Sequence, residues 1–239
     1  MWLTAFLDLP ADGFDDGVAF WQAVTGLGLS GTRGDSGQFA TLVADDSDDW
    51  LRVQRVGAGG PRVHLDVHSD DPARVRDHAI PLGARLVDES DVVVMASPGG
   101  LPFCAVTGAE RRPPRPRTWD GHSSLADQVC IDIPPALFDQ EAMFWSRLLD
   151  RELQPSPGYD EFASLARHSG DSLRVLLQRL ESGDTTRAHL DLACDDRDAE
   201  VSRLRRLGAT EVRRTAGWTT LRGPAGMELC VTDRRPGYP

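Results

Sequence analysis

The chain has 239 residues, 40% of them hydrophobic and 26% charged, which is enough to bury one large core or two of ordinary size. A formal net charge of −11 opposes binding to nucleic acid, because phosphates are recognised through a positive field that this sequence lacks. All 26 basic residues are arginine, and the absence of lysine removes Schiff-base chemistry, pyridoxal attachment and the phosphate-loop lysine together.

The opening run, MWLTAFLDLP, predicts a strand and not a signal peptide, since it has no positive segment and reaches Asp8 after a few apolar residues. The longest apolar stretches, such as VVVMA at 92–96, are far short of a membrane span, so no membrane partner is expected. After the triplet Leu7-Asp8-Leu9 comes a helical segment carrying Trp21, then the strand-like runs FATLVA and WLRVQRV. A second apolar-Asp-apolar triplet, Leu65-Asp66-Val67, precedes a helix in which Val75, Ala79, Leu82 and Leu86 recur at helical spacing and Asp71-Pro72 supplies the cap. Residues 108–125 then interrupt the pattern with three prolines and four arginines in seven positions, 111–117, the composition of an extended solvated connector.

Beyond that connector the sequence starts again. VHLDVHSDD at 63–71 matches AHLDLACDD at 188–196, LGA at 82–84 matches LGA at 207–209, and PGGLPFCAV at 98–106 matches PAGMELCVT at 224–232. Trp21 in its helix likewise corresponds to Trp145, which lies on the apolar stripe of Phe138, Ala142 and Leu149. Cap chemistry at Asp195 to Asp198 starts the last helix. The triplets centred on Asp8, Asp66, Asp132 and Asp191 are 58, 66 and 59 residues apart, so one unit of strand, helix and about three strands is used four times. The repeat predicts a first module over 1–108, a linker over 109–124 and a second module over 125–236.

Four such units joined in pairs, with VQRV at 53–56, the HLDV and HLDL strands, the LGA turns and the endings that place Cys104 and Cys230, resemble the vicinal-oxygen-chelate superfamily of glyoxalases, bleomycin-resistance proteins and extradiol dioxygenases. The resemblance implies an α+β fold of four βαβββ units forming two modules with curved mixed sheets. It departs from the usual family ending DPxGNxxE, where this chain has Ser97 or Gly223 for the aspartate, Leu101 or Met227 for the asparagine and cysteine for the glutamate. In metal-dependent members the ligands come from the first strand of each unit and from the last strand. Carried over by position, these are Gln128, Gln178, His189 and Cys230 in the second module and Thr4, Gln54, His64 and Cys104 in the first.

Residues two apart on a strand share a face, so Gln128, Cys130 and Asp132 look one way and His189 looks with Asp191. Glu228 shares the face of Cys230. The expected ligand-binding set is therefore Gln128, Gln178, His189, Glu228 and Cys230, with His189 and Glu228 as candidate acid/base groups. If a divalent metal is present, Gln128, His189 and Cys230 would hold it. Without a companion carboxylate that donor set is poor, and the sequence favours a small-molecule-binding protein with no cofactor over a metal-dependent lyase, isomerase or ring-cleaving dioxygenase, with metal-free acid/base catalysis as a third reading. Each residue also has a plainer role. The histidines read as satisfied strand residues, the cysteines as reduced buried hydrophobes of a cytoplasmic protein, and the four triplet aspartates as backbone anchors at sheet-to-helix turns. Trp2, Trp50, Trp119 and Trp218 read as pocket walls, and a monomer or homodimer is expected.

Overall fold

A computed structural model describes residues 1–57, 59–108 and 112–237. In chain order the first module comprises β1 (Trp2–Pro10), α1 (Phe14–Thr25), β2 (Gly28–Leu29), β3 (Phe39–Val43), β4 (Leu51–Val56), β5 (Arg62–Ser69), α2 (Pro72–Ala79), β6 (Arg85–Asp88), β7 (Val93–Ala96) and β8 (Pro102–Thr107). After a two-residue strand β9 (Arg117–Thr118), the second comprises β10 (Ser123–Ile133), α3 (Phe138–Leu149), β11 (Leu153–Pro155), β12 (Phe162–Leu165), β13 (Arg174–Arg179), β14 (Arg187–Cys194), α4 (Arg197–Arg206), β15 (Thr210–Arg214), β16 (Trp218–Arg222) and β17 (Glu228–Thr232). Strand, helix and three strands do recur four times, and the fold is α+β as the repeat implies.

Each module forms one mixed sheet. The orders are β2-β3-β4-β1-β5-β8-β7-β6 and β11-β12-β13-β10-β14-β17-β16-β15, the same topology twice. The pairs β5/β8 and β14/β17 are parallel, and the outer hairpins are antiparallel. The strands β1 and β10 are buried along almost their whole length, whereas β6 and β15 are exposed at every residue. A register shift breaks each of these outer strands at matching places, between Leu86 and Asp88 and between Glu211 and Arg213. No helix among the described residues is long and apolar enough to cross a membrane.

Within the connector, residues 112–116 carry no helix or strand. Residues 109–111 lie outside the described residues, while β9 folds back on the start of β10, pairing Thr118 with Ser123 and Arg117 with Ser124.

By density of contacts the chain divides into two compact units that do not follow the sequence modules. One holds Met1–Ala5, His64–Arg112 and Val129–Ala188, and the other holds Phe6–Val63, Pro113–Gln128 and His189–Pro239. The physical reason lies in helix packing. In the first unit α2 packs on α3, with His78 Nε2 3.1 Å from the Arg147 carbonyl, and Phe103 meets the rings of Phe144 and Trp145 at 5.9 and 5.5 Å. Glu141, fully buried on α3, accepts hydrogen bonds from Ser97 Oγ, the Gly99 amide and the Trp145 indole.

In the second unit Arg203 on α4 donates to the carbonyls of Ala23 and Val24 at the end of α1, both at 2.9 Å. Its guanidinium lies 3.7 Å from the Trp119 ring centroid and pairs with the fully buried Glu200, which also contacts His122 and accepts from Ser124. The helices thus tie each sequence module's outer layer to a partner from the other.

Local signals explain the helix ends. Asp71 and Asp196 accept from the amides of Arg74 and Ala199, as the cap pattern predicts. The helices α1 and α3 both end on a left-handed residue, Gly26 at φ 69° in the first and Asp150 at φ 54° in the second. Trp21 and Trp145 are core residues, as expected. Of the four expected pocket walls, Trp50 lines a small pocket with Leu27, Ser47 and Leu125 and donates its indole N–H to the Ala126 carbonyl at 2.8 Å, while Trp119 stacks on Arg203.

Candidate functional site

The strands β14 and β17 run side by side in parallel, with Asp191 opposite Cys230. Alternation along β14 turns His189 to the same face as Asp191, and along β16 it brings Thr220 opposite Cys230. The result is a cluster within the second compact unit. His189 Nε2 is 3.4 Å from Cys230 Sγ and 3.2 Å from Asp191 Oδ1, and Thr220 Oγ1 is 3.3 Å from the same sulfur. From β10, the Gln128 amide donates to Asp191 Oδ2 at 2.5 Å. Ligand atoms of His189, Asp191 and Cys230 all lie within 4.8 Å of one another.

One atom in this cluster stands out. Asp191 is 3% exposed, and its Oδ1 is buried with no aligned hydrogen bond among the described residues, although His189 Nε2 is close. A buried carboxylate oxygen left in that state costs about 1–3 kcal/mol unless a further group meets it. Imidazole, carboxylate and thiolate together form a donor set suited to a borderline or soft divalent cation, and two of the three supply negative charge.

The expected residues are distributed as follows. Gln128, His189 and Cys230 converge, but Gln128 turns its N–H donors toward Asp191 and serves as that carboxylate's anchor. Glu228 shares the strand face of Cys230 yet pairs with Arg222 at 2.7 Å in a half-exposed bridge. Gln178 belongs to the other compact unit, where its Oε1 accepts from Cys130 Sγ at 3.7 Å.

Asp71 and Asp196 are the side chains that cap α2 and α4 at two of the sheet-to-helix turns. The triplet aspartates have side-chain neighbours of more than one chemistry. Asp8 and Asp132 are met by Arg62 at 2.8 Å and Arg187 at 3.4 Å, each a pair within one unit, and Cys130 Sγ also lies 3.9 Å from Asp132 Oδ1. Asp66 and Asp191 sit beside a histidine and a cysteine, so the companion carboxylate thought missing is present. Asp191 and Thr220 are therefore members of the site that the strand reading did not assign to it. The clue for Asp191 was already visible in the i, i+2 spacing after His189.

The four cysteines are free thiols, with unlike surroundings. Burial pushes the Cys194 thiol up to about 12, helped by the charges of Glu200, Asp233, Asp195 and Asp196, and it contacts the Thr232 carbonyl, so it is an inert core residue. Cys230 instead faces His189.

In the first unit the same geometry occurs again. Asp66 lies opposite Cys104 in the parallel pair β5/β8, and ligand atoms of His64, Asp66 and Cys104 lie within 4.8 Å of one another. Thr4, at the position of Gln128, is hydrogen-bonded to His68 at 3.0 Å, and His68 stacks on Trp2 at 3.7 Å.

Comparison with known proteins follows the same outline. The glyoxalase-like domain family matches twice, over residues 4–106 and 128–232. No curated protein sequence matches the chain at a significant level. Among solved structures, a triple mutant of 4-hydroxymandelate synthase from Streptomyces coelicolor is 16% identical with a TM-score of 0.63, over 98% of this chain and 93% of that one. A mutant of homoprotocatechuate 2,3-dioxygenase from Brevibacterium fuscum is 12% identical with a TM-score of 0.62, over 99% of this chain and 72% of that one. The 2,2',3-trihydroxybiphenyl 1,2-dioxygenase of Sphingomonas wittichii is 14% identical with a TM-score of 0.58, over 96% and 88%. At these identities the likeness establishes a shared fold.

Proposed function

The chain belongs to the glyoxalase-like domain family, and from that premise we propose that its second module is a metal-dependent site for a small organic molecule bearing two adjacent oxygens, in the manner of a lyase, isomerase or ring-cleaving dioxygenase. The observation that carries this reading is the buried Asp191 Oδ1 without an aligned hydrogen bond, 3.2 Å from His189 Nε2. It favours this reading over the metal-free binding protein that the sequence alone prefers, because a metal-free cluster keeps the cost of that oxygen unmet.

His189, Asp191 and Cys230 are the residues that would hold the cation. A divalent ion there would act as a Lewis acid on oxygens of the bound molecule. The chain's own residues do the positioning. Gln128 fixes Asp191 through Oδ2 and so aims Oδ1 toward His189, and Thr220 fixes the sulfur of Cys230. Carboxylate and thiolate carry the charge needed to offset a divalent cation, which a set of Gln128, His189 and Cys230 would not.

The test is calorimetric titration of chelator-stripped, reduced protein with zinc or ferrous iron, followed by a catechol-type ligand. Micromolar or tighter metal binding is expected, weakened at least tenfold by Asp191→Asn or His189→Ala, with ligand binding dependent on the metal. An organic ligand that binds equally well to stripped protein, with no metal uptake, would restore the metal-free binding reading.

A further inference from the structure

We infer that the first module carries a second divalent-cation site of its own, formed by His64, Asp66 and Cys104. It rests on reading the trio His189, Asp191 and Cys230 as a cation site, and it extends that reading to the first module.

Three observations carry it. First, imidazole, carboxylate and thiolate again come within 4.8 Å of one another, with His64 8% and Asp66 2% exposed. Second, the register is the same in both modules. The aspartate stands opposite the cysteine across a parallel strand pair, as Asp66 and Cys104 in one and as Asp191 and Cys230 in the other, and the histidine precedes the aspartate by two. Third, the residues around the trio differ between modules while the trio itself does not. Gln128 corresponds to Thr4 and Glu228 to Pro102, yet His, Asp and Cys are each kept. A trio serving only to pack strands would not need three different donor chemistries at the same three points, since buried polar groups are costly and apolar residues fill such positions more readily.

The two sites are not equal. Asp191 is fixed by Gln128, whereas Thr4 is engaged by His68. The first module has no glutamine at that position and its Cys104 is less buried than Cys230, so this site binds the same cation more weakly than the second.

The experiment uses the whole reduced, chelator-stripped protein titrated with cobalt(II). It reads bound metal per chain and the thiolate-to-cobalt charge-transfer absorption, a signature of cysteine ligation that is independent of any activity. Two cobalt ions per chain are expected, with the weaker one lost in Cys104→Ser and the tighter one in Cys230→Ser, each variant keeping about half the absorption and the double variant none. His64→Gln gives a second handle on the first site, and circular dichroism verifies that each variant is folded. A single cobalt lost in Cys230→Ser and untouched by Cys104→Ser would overturn this inference while leaving the proposed function standing. A single cobalt lost only in Cys104→Ser would support the first-module site and overturn the second-module reading. Absorption unchanged by either substitution would overturn both.

Discussion

Glu141 and Glu200 are both fully buried on helices, one in each compact unit, yet their carboxyls are displaced in opposite directions. Burial pushes Glu141 above the ordinary glutamate value, and the hydrogen bonds from Ser97, Gly99 and Trp145 only moderate the rise. Burial pushes Glu200 up too. There, however, hydrogen bonds from Arg203 and His122, the charge of Arg203 and a further bond from Ser124 outweigh it and hold the carboxyl below the ordinary value. Both networks are well bonded, so the number of donors does not decide the outcome. Arg203 tips the outcome, because it adds its positive charge to the hydrogen bonds it donates, and both favour the ionised carboxyl.

The sharpest way to break this comparison is to remove each carboxylate. Glu200→Ala leaves the Arg203 guanidinium buried without its counter-charge and is expected to cost about 4 kcal/mol. Glu141→Ala leaves neutral donors unmet and is expected to cost about 2 kcal/mol. Urea denaturation of both variants checks the order, and equal losses would show that the charge of Arg203 adds nothing.

The pH dependence is a finer test. Because Glu200 titrates below 4.5 in the folded protein, its contribution is fully present above 4.5 and is lost as pH falls through the lowered value. Glu141 titrates above 4.5, so its contribution is fully present below 4.5 and is lost as pH rises through the raised value. Urea midpoints followed from acid to neutral pH should therefore show a smaller acid-side decline in Glu200→Gln and a smaller neutral-side decline in Glu141→Gln. A profile altered on the same side by both variants would contradict the opposite displacements.

The smallest effect concerns the two helix ends. Asp150 holds the left-handed conformation that Gly26 adopts at the equivalent end in the first module. Asp150→Gly should therefore raise stability by up to about 1 kcal/mol, seen as a higher thermal midpoint. A fall would mean that the Asp150 side chain makes a stabilising bond worth more than the strain.

Much of this architecture was legible in the sequence because the chain states it twice. The matched HLDV and HLDL strands, the LGA turns and the cap aspartates Asp71 and Asp196 each fixed an element by local chemistry. What escaped depended on partners distant in sequence. The division into compact units is set by contacts such as Arg203 with Ala23 and Val24, about 180 residues apart, and no local pattern records them. The site was half legible. The strand period put His189 with Asp191, but no local spacing records that Asp191 stands opposite Cys230 across a parallel strand pair. Asp8 and Asp132 take their arginine partners, Arg62 and Arg187, from two residues before His64 and His189, in the runs RVHLD and RAHLD.

The slipped register in β6 and β15 also bears on the life of the molecule in a crowded solution. A sheet whose last strand lies open offers its unpaired amides and carbonyls as a seam onto which another chain can be stitched. Here Val87 and Val212, each about half exposed, sit where that seam is broken, between Leu86 and Asp88 and between Glu211 and Arg213. An incoming straight strand cannot stay in step across the extra residue, and Arg85, Arg213 and Arg214 add charge along the same margins. Two apolar side chains that would otherwise invite fibril growth are thereby carried on edges that cannot serve as its template.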